Sequence, residues 1–360
     1  MISLKEGIII EIINCDDEID WIKVSIEGNN YKAVNYSKLT GNVSIGDKVI
    51  LNTTAVELSL GTGGYHFVVH NHNYKQKSDS KKGHIMKLRY TPMQIKCLAA
   101  EEQSSPHHEK IKSFTSLSNY IFLTGSLHSM VAPIASMIKY LRPKTKINYI
   151  MTDGGALPLQ FSLTVKELKK KGIIDNTITI GHSFGGDFEC VNIYTGLITS
   201  KEVLESDITI IAMGPGIVGT GTRYGYSGIE QGSILDAVNA LGGKSIAIPR
   251  ITFSDNRDRH RGISHHTLTV LNKITFSKCD LVLPILSEEK NLFIEKQINN
   301  TKISSKHNIL YQEGENIKEA LDFYNLKTTT MGRNYNQDKD YFISLGAVGK
   351  YAVALIEGHQ

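Results

Sequence analysis

Over the first 70 residues, short β-branched and aromatic runs alternate with polar breaks. Ile8–Ile13, Trp21–Ile26 and Tyr31–Val34 have this character, and Gly28-Asn29-Asn30 supplies a hairpin turn. Lys48–Leu51 follows Gly46-Asp47, and Tyr65–Val69 follows Gly63-Gly64. Several short strands without intervening helices predict a small β-barrel. The stretch from His70 to Gly83 is polar, lysine-rich and aperiodic, the signature of a linker.

Beyond Gly83 the period changes. Tyr120–Thr124, Ile147–Met151, Thr177–Ile180, Ile208–Met213, Ser245–Ile248 and Leu281–Leu286 are short apolar runs of strand length. Between them lie segments of helical spacing: Pro133–Leu141, Leu159–Lys170, Ile229–Leu241 and Thr267–Phe276. Thr91-Pro92, followed by Ile95, Leu98 and Ala99, predicts a further helix start. Phe188–Leu204 fits either one helix or two shorter elements. Alternating strands and helices predict a Rossmann-like, doubly wound, mainly parallel α/β sheet preceded by a small all-β barrel-like domain. The expected boundaries are 1–72 for the barrel, 73–83 for the linker and 84–360 for the α/β domain.

Composition refines this picture modestly. The 360 residues are 41% hydrophobic and 21% charged, ordinary for a globular protein with a real core. The net charge of +4 is spread along the chain, with no Arg/Lys stripe interleaved with aromatics, so no strong nucleic-acid signal is present. The four cysteines are isolated and read as reduced thiols. No apolar run approaches the roughly 18 residues of a membrane span, and the first residues lack the pattern of a secretory signal. A cytoplasmic location is expected.

The candidate chemistry is concentrated in loops that follow strands. In a parallel sheet these share one edge, where ligands bind at a switch in strand order. They are Gly125–His128, Thr152–Gly155, Gly181–Asp187, Gly214–Thr222 and Arg250–His266. Gly214-Pro215-Gly216-Ile217-Val218-Gly219 formally satisfies GxGxxG, but helical pattern resumes only near Tyr226, and no acidic strand end follows about 20 residues on. A backbone cradle for an anion, built on Gly214, Gly216, Gly219, Thr220 and Gly221, remains open beside a plain tight turn. Gly181-His182-Ser183-Phe184-Gly185 matches the nucleophile elbow, with Ser183 as nucleophile. Its acid and base, Asp255 with His265 or His266, would both come from one loop, and Gly186-Asp187 interrupts the helix the elbow needs.

Arg250–His266 is the densest polar segment. Arg257, Arg259 and Arg261 suit phosphate or carboxylate recognition. Ser264 can cap a helix near Thr267, placing His265 and His266 in its first turn. Either histidine could move a proton, or ligate a divalent metal with Asp153, Asp187, His128 or His182. A self-paired, solvated charged loop is the alternative. Glu101-Glu102 with His107-His108 is a further metal candidate, equally explained by an exposed turn.

Gly61–Phe67, Lys87–Pro92, Glu101–His107, Gly181–Asp187, Met213–Thr222 and Arg257–Thr267 together resemble an uncharacterised bacterial family, domain of unknown function 3866. The resemblance covers nearly the whole chain and implies a bacterial cytosolic protein; it brings no activity or ligand. The residues themselves lead to an expected hydrolase-like enzyme acting on a small anionic or phosphorylated metabolite. In it Arg257, Arg259 and Arg261 hold the anion, His265 or His266 moves a proton, and Asp153 or Asp187 orients groups or a metal. The alternative is a non-catalytic nucleotide- or metabolite-binding regulator. Homo-oligomerisation is left open.

Overall fold

A computed structural model describes residues 2–60, 63–74 and 82–358. The chain divides into two compact units, residues 1–82 with 88–95 and residues 83–87 with 96–360. The expected linker falls largely on 75–81, outside the described residues.

The first unit is a closed five-stranded barrel of β1 (Leu4–Cys15), β2 (Ile19–Ile26), β3 (Asn29–Tyr36), β4 (Lys48–Asn52) and β5 (Tyr65–Asn71). Their order around the barrel is β1-β2-β3-β5-β4, closing on β1, with β3 and β5 parallel. Strand β1 pairs with β2 along most of its length and with β4 at its start. Register shifts near Ile9 and Ile12 bend it, as bulges do, so that one strand serves both neighbours. Ile9, Ile22, Val24, Ala33, Val49, Leu51 and Val68 alternate inward and fill the barrel. The five strands close on themselves and leave no free edge.

The second unit is built on an eight-stranded, wholly parallel sheet. Its strands are β6 (Ile121–Thr124), β7 (Ile147–Thr152), β8 (Asn176–Thr179), β9 (Phe188–Glu189), β10 (Ile208–Met213), β11 (Lys244–Ala247), β12 (Asp280–Pro284) and β13 (Asn308–Gln312). The order is β9-β8-β7-β10-β6-β11-β12-β13. The central strands are buried on both faces, which explains their largely apolar runs. On one face Leu123, Tyr149, Met151, Ile210 and Val282 meet α1 (Val131–Leu141), α2 (Leu163–Lys170), α7 (Ile317–Phe323) and α8 (Lys339–Gly358). On the other, Phe122, Ile150 and Ile211 meet α3 (Ile193–Ile198) and α4 (Gln231–Ala240), while Ala247, Leu281 and Leu283 pack with α6 (Glu288–Asn299). Between β11 and β12 lies the short α5 (His265–Thr269), continued by a wider turn over Val270–Ile274. No described helix is long and apolar enough to cross a membrane.

One local expectation is corrected and one open reading is settled. Thr91-Pro92 opens no helix: the Thr91 hydroxyl donates to the Leu88 carbonyl (2.8 Å) and accepts from Met93 N–H (3.2 Å), a turn, and the chain then enters a short strand, Ile95–Cys97. Leu88 and Tyr90 there have positive φ, incompatible with a helix. Phe188–Leu204 resolves into β9, α3 and a π-type extension, Thr199–Val203.

Candidate functional site

The sheet order creates a switch point. From β7 the chain passes through α2 to β8, on one face and toward one edge. From β10, hydrogen-bonded to β7, it passes through α4 on the other face, across β6, to β11. The loops leaving β7 and β10 therefore stand above the carboxyl ends at the switch position where parallel sheets place ligands. The two loops touch through backbone. Ala156 N–H donates to the Pro215 carbonyl (2.9 Å), and a Cβ on Gly155 would stand 2.4 Å from the Gly214 oxygen.

Gly181–Asp187 is stitched down by its neighbours. Asp153 accepts from His182 N–H (3.0 Å), and Gly181, at φ +63°, leaves room for that carboxylate where any Cβ would collide. Ser183 is buried; its hydroxyl donates to the Met151 carbonyl (3.4 Å), and the buried Lys87 ammonium holds its carbonyl (2.5 Å). No helix follows it: the chain turns at Gly185–Gly186 into β9. Ser183 is therefore not presented as an elbow nucleophile. Asp187 accepts from Thr177 N–H and hydroxyl (both 2.8 Å) and pairs with Lys169. These bonds hold its carboxyl below the usual range against the opposing effect of burial. Asp187 thus ties a loop to a strand.

Gly214–Thr222 does not lead into a helix N-terminus. Gly216 and Gly221 have φ of +100° and +78°, and the exposed loop closes on itself. Thr220 N–H donates to the Gly225 carbonyl (2.8 Å), and the Thr220 and Thr222 hydroxyls meet at 2.9 Å. Gly219 bridges to Tyr226, and a 3-10 turn, Ser227–Glu230, precedes α4. Glu230 lies against Gly154, its carboxyl taking the Thr152 hydroxyl. Burial, reinforced by the charge of Asp153, pushes the Glu230 carboxyl up to about 7.

Because the folded pKa exceeds the unfolded one, Glu230 favours folding fully below about pH 4.5 and loses that contribution as pH rises to about 7. Glu230→Gln keeps the shape and removes the charge. Urea unfolding is expected to show a gain on the order of 2 kcal/mol over wild type at pH 8, closing toward pH 4.5. Equal stability of both proteins at pH 8 contradicts this.

The main concentration of chemistry lies beyond β11. Ile251–Thr252 pairs antiparallel with Gly262–Ile263, closing an excursion that returns the chain beside its origin. Ser264 N–H donates to the Arg250 carbonyl (2.9 Å), and Arg250 N–H to the Thr267 hydroxyl (3.0 Å), fixing α5 against the strand exit. Ser264 caps α5. A 3-10 turn, Asp258–His260, places His260 against His265 and His266, with ring centroids 4.9 and 5.2 Å away. One ring nitrogen from each of the three lies within 4.8 Å of the others. This is the one such group of potential metal ligands among the described residues. Tyr226 stacks on His266 at 3.9 Å and 9°, donating its hydroxyl to the His266 carbonyl (3.0 Å).

Burial lowers the pKa of all three imidazoles. Burial, then the charges of Arg250 and Arg257, pushes His260 down to about 3. Burial, then the neighbouring His265 and the guanidiniums, pushes His266 down to about 4. His265 is lowered by burial and then by Arg259. Arg250 Nη1 approaches His260 Nδ1 (3.4 Å); since guanidinium only donates, the neutral ring carries its proton on Nε2. The Ser264 hydroxyl meets the same Nδ1 at 2.8 Å. His265 Nε2 is buried with no hydrogen-bond partner.

Behind the histidines stands an arginine–carboxylate group. Asp255 accepts from Arg257 in bidentate fashion (2.9 and 2.8 Å) and from Arg250 (3.2 Å), with Arg333 at 3.7 Å. Arg333 also donates to Asp338 (2.9 Å), which accepts from the Thr252 hydroxyl (2.6 Å).

Not every expected residue joins this cluster. Arg257 is engaged by Asp255. Arg261 lies over Phe293 of α6 (5.5 Å). Arg259 is exposed, its charge felt at His265 and His266. His128 takes the Ser162 hydroxyl on Nε2 (2.7 Å) and meets the Met213 carbonyl through Nδ1 (3.3 Å), joining the α2 cap to the end of β10. Burial pushes it down to about 4. Glu101 accepts from Val191 N–H (2.8 Å), and Glu102 from His84 N–H (2.8 Å) and Ala99 N–H (3.3 Å), so both serve the backbone. Sequence reasoning missed His260, Arg250, Arg333, Asp338, Tyr226 and Glu230 as site residues; of these, only His260 and Arg250 lie in the segment whose composition drew attention.

The profile of a family described as "Protein of unknown function (DUF3866)" matches residues 32–349. Comparison with curated proteins gives no significant match.

Proposed function

The chain therefore belongs to the DUF3866 family, and from the geometry of its site we propose that it hydrolyses a small anionic, specifically phosphorylated, metabolite. The reading is carried by one juxtaposition: three clustered imidazoles beside an arginine group that two carboxylates only partly balance. Arg250, Arg257 and Arg333 face Asp255 and Asp338, and Arg259 adds its charge to the field at the histidines. Such a surplus attracts an anion, while imidazole nitrogens that lack a proton can accept a hydrogen bond from a water and position it. The position, at the carboxyl edge of a parallel sheet, is where α/β proteins place ligands.

The test uses inorganic phosphate in titration calorimetry, and p-nitrophenyl phosphate with bis(p-nitrophenyl) phosphate in turnover assays. Phosphate binding and hydrolysis of at least one ester are expected. Phosphate binding without turnover of either ester moves the assignment to a non-catalytic metabolite-binding regulator. No phosphate binding at all removes the reading.

A further inference from the structure

We propose that His260, His265 and His266 together hold one divalent transition-metal ion of the zinc type, leaving an open position for water. This rests on reading the histidine cluster as a ligand site and names the ion it would use. Three arguments from the cluster lead there. The three residues each bring a ring nitrogen to within 4.8 Å of the other two, close enough for modest side-chain adjustment to place them around one ion. His265 Nε2 is buried and unpartnered, a state that costs free energy unless a ligand satisfies it. His260 has its Nδ1 occupied by Ser264 and Arg250, so Nε2 is the nitrogen left to ligate. Ligation there puts the ring proton on Nδ1, where the Ser264 oxygen at 2.8 Å accepts it, and the longer 3.4 Å approach of Arg250 to that nitrogen gives way.

Three neutral imidazoles leave the full double charge on the ion. That is the arrangement of open zinc sites, in which bound water ionises near neutral pH. The nearby guanidiniums do not favour a bare cation, but they favour the anions that would complete it, hydroxide and a phosphate oxygen. In the resulting step the bound water loses its proton to solvent and its oxygen forms the new P–O bond. The P–O bond to the leaving group breaks, and the departing alkoxide takes a proton from water.

The experiment is metal analysis of full-length protein purified without chelators or immobilised metal, followed by titration of the metal-free protein with Zn²⁺ and Co²⁺. One ion per chain, a tetrahedral Co²⁺ absorption band and a raised melting temperature are expected. His265→Asn and His266→Asn, each checked for folding by circular dichroism, are expected to weaken Zn²⁺ binding by on the order of 100-fold. Wild-type protein that takes up neither ion, or folded variants that bind as tightly as wild type, overturns the proposal. Metal bound at the histidines without phosphate binding or ester turnover sinks the hydrolase reading and leaves the metal site standing. Metal-free protein that takes up neither ion yet hydrolyses esters at the full rate does the reverse.

Discussion

Asp255→Ala is expected to lower the unfolding free energy by about 3–5 kcal/mol. The Asp255 side chain is 3% exposed and accepts from two guanidiniums, with a third within ion-pair distance. Arg250, itself 4% exposed, has no other carboxylate within ion-pair distance among the described residues. Truncation therefore leaves a buried cation uncompensated and sets three positive groups against one another, which is far costlier than losing an exposed ion pair. Hydrogen bonding to Arg257 holds the Asp255 carboxyl well below its ordinary value. Its stabilisation is therefore fully present above about pH 4 and is lost only as pH falls through the depressed folded value. The deficit of the variant should thus be constant from pH 5 to 8 in urea titrations, unlike the Glu230→Gln difference, which grows with pH. In an Arg250→Met background the same substitution should cost clearly less, since the stranded charge is gone. A loss below about 1 kcal/mol in the wild-type background contradicts a tightly held group.

The architecture is largely visible in the sequence because burial on both faces forces it. Ile147–Thr152 and Ile208–Met213 are largely apolar since each is covered by helices above and below. Thr91-Pro92 misleads because a threonine hydroxyl beside proline serves a turn as readily as a helix cap, and only the positive φ of Leu88 and Tyr90 decides between them. Elements after Leu286 escape pattern reading. Helix α6 is short of apolar positions and leaves Leu292 and Phe293 at the surface, which blurs its period. For the site, the density of arginine and histidine between Arg250 and His266 is plain in the sequence, but its arrangement is not. The role of Arg257 depends on Asp255 lying within its reach, and Arg333 and Asp338 arrive from far along the chain. Tyr226 stacks on His266 across two loops that share no local signal. Ser183 and Asp187 sit in loops whose glycines suggest a ligand; their side chains bind the protein's own backbone instead.

Replacing His265 and His266 together by alanine is expected to lower kcat/KM for the hydrolysed phosphate ester on the order of 1000-fold. Both rings are only partly buried, and neither anchors a hydrophobic core, so the fold should lose no more than about 2 kcal/mol. That separation of effects matters, because Asp255→Ala should reduce both quantities. Ser183→Ala supplies the contrast. Its hydroxyl is fully enclosed and directed at the Met151 carbonyl, so turnover should stay within about twofold of wild type on the warrant that distant, inward-facing groups do not act on a bound substrate. Tyr226→Leu falls between: it leaves all three imidazoles in place but removes the ring stacked on His266 and the bond to its carbonyl, so a loss on the order of 10-fold is expected. Steady-state assays of these variants with the same ester separate the readings. An inactive Ser183→Ala with a fully active histidine double variant would move the chemistry to the other side of the sheet edge. A graded loss that follows proximity to His265 and His266 ties turnover to the histidine cluster.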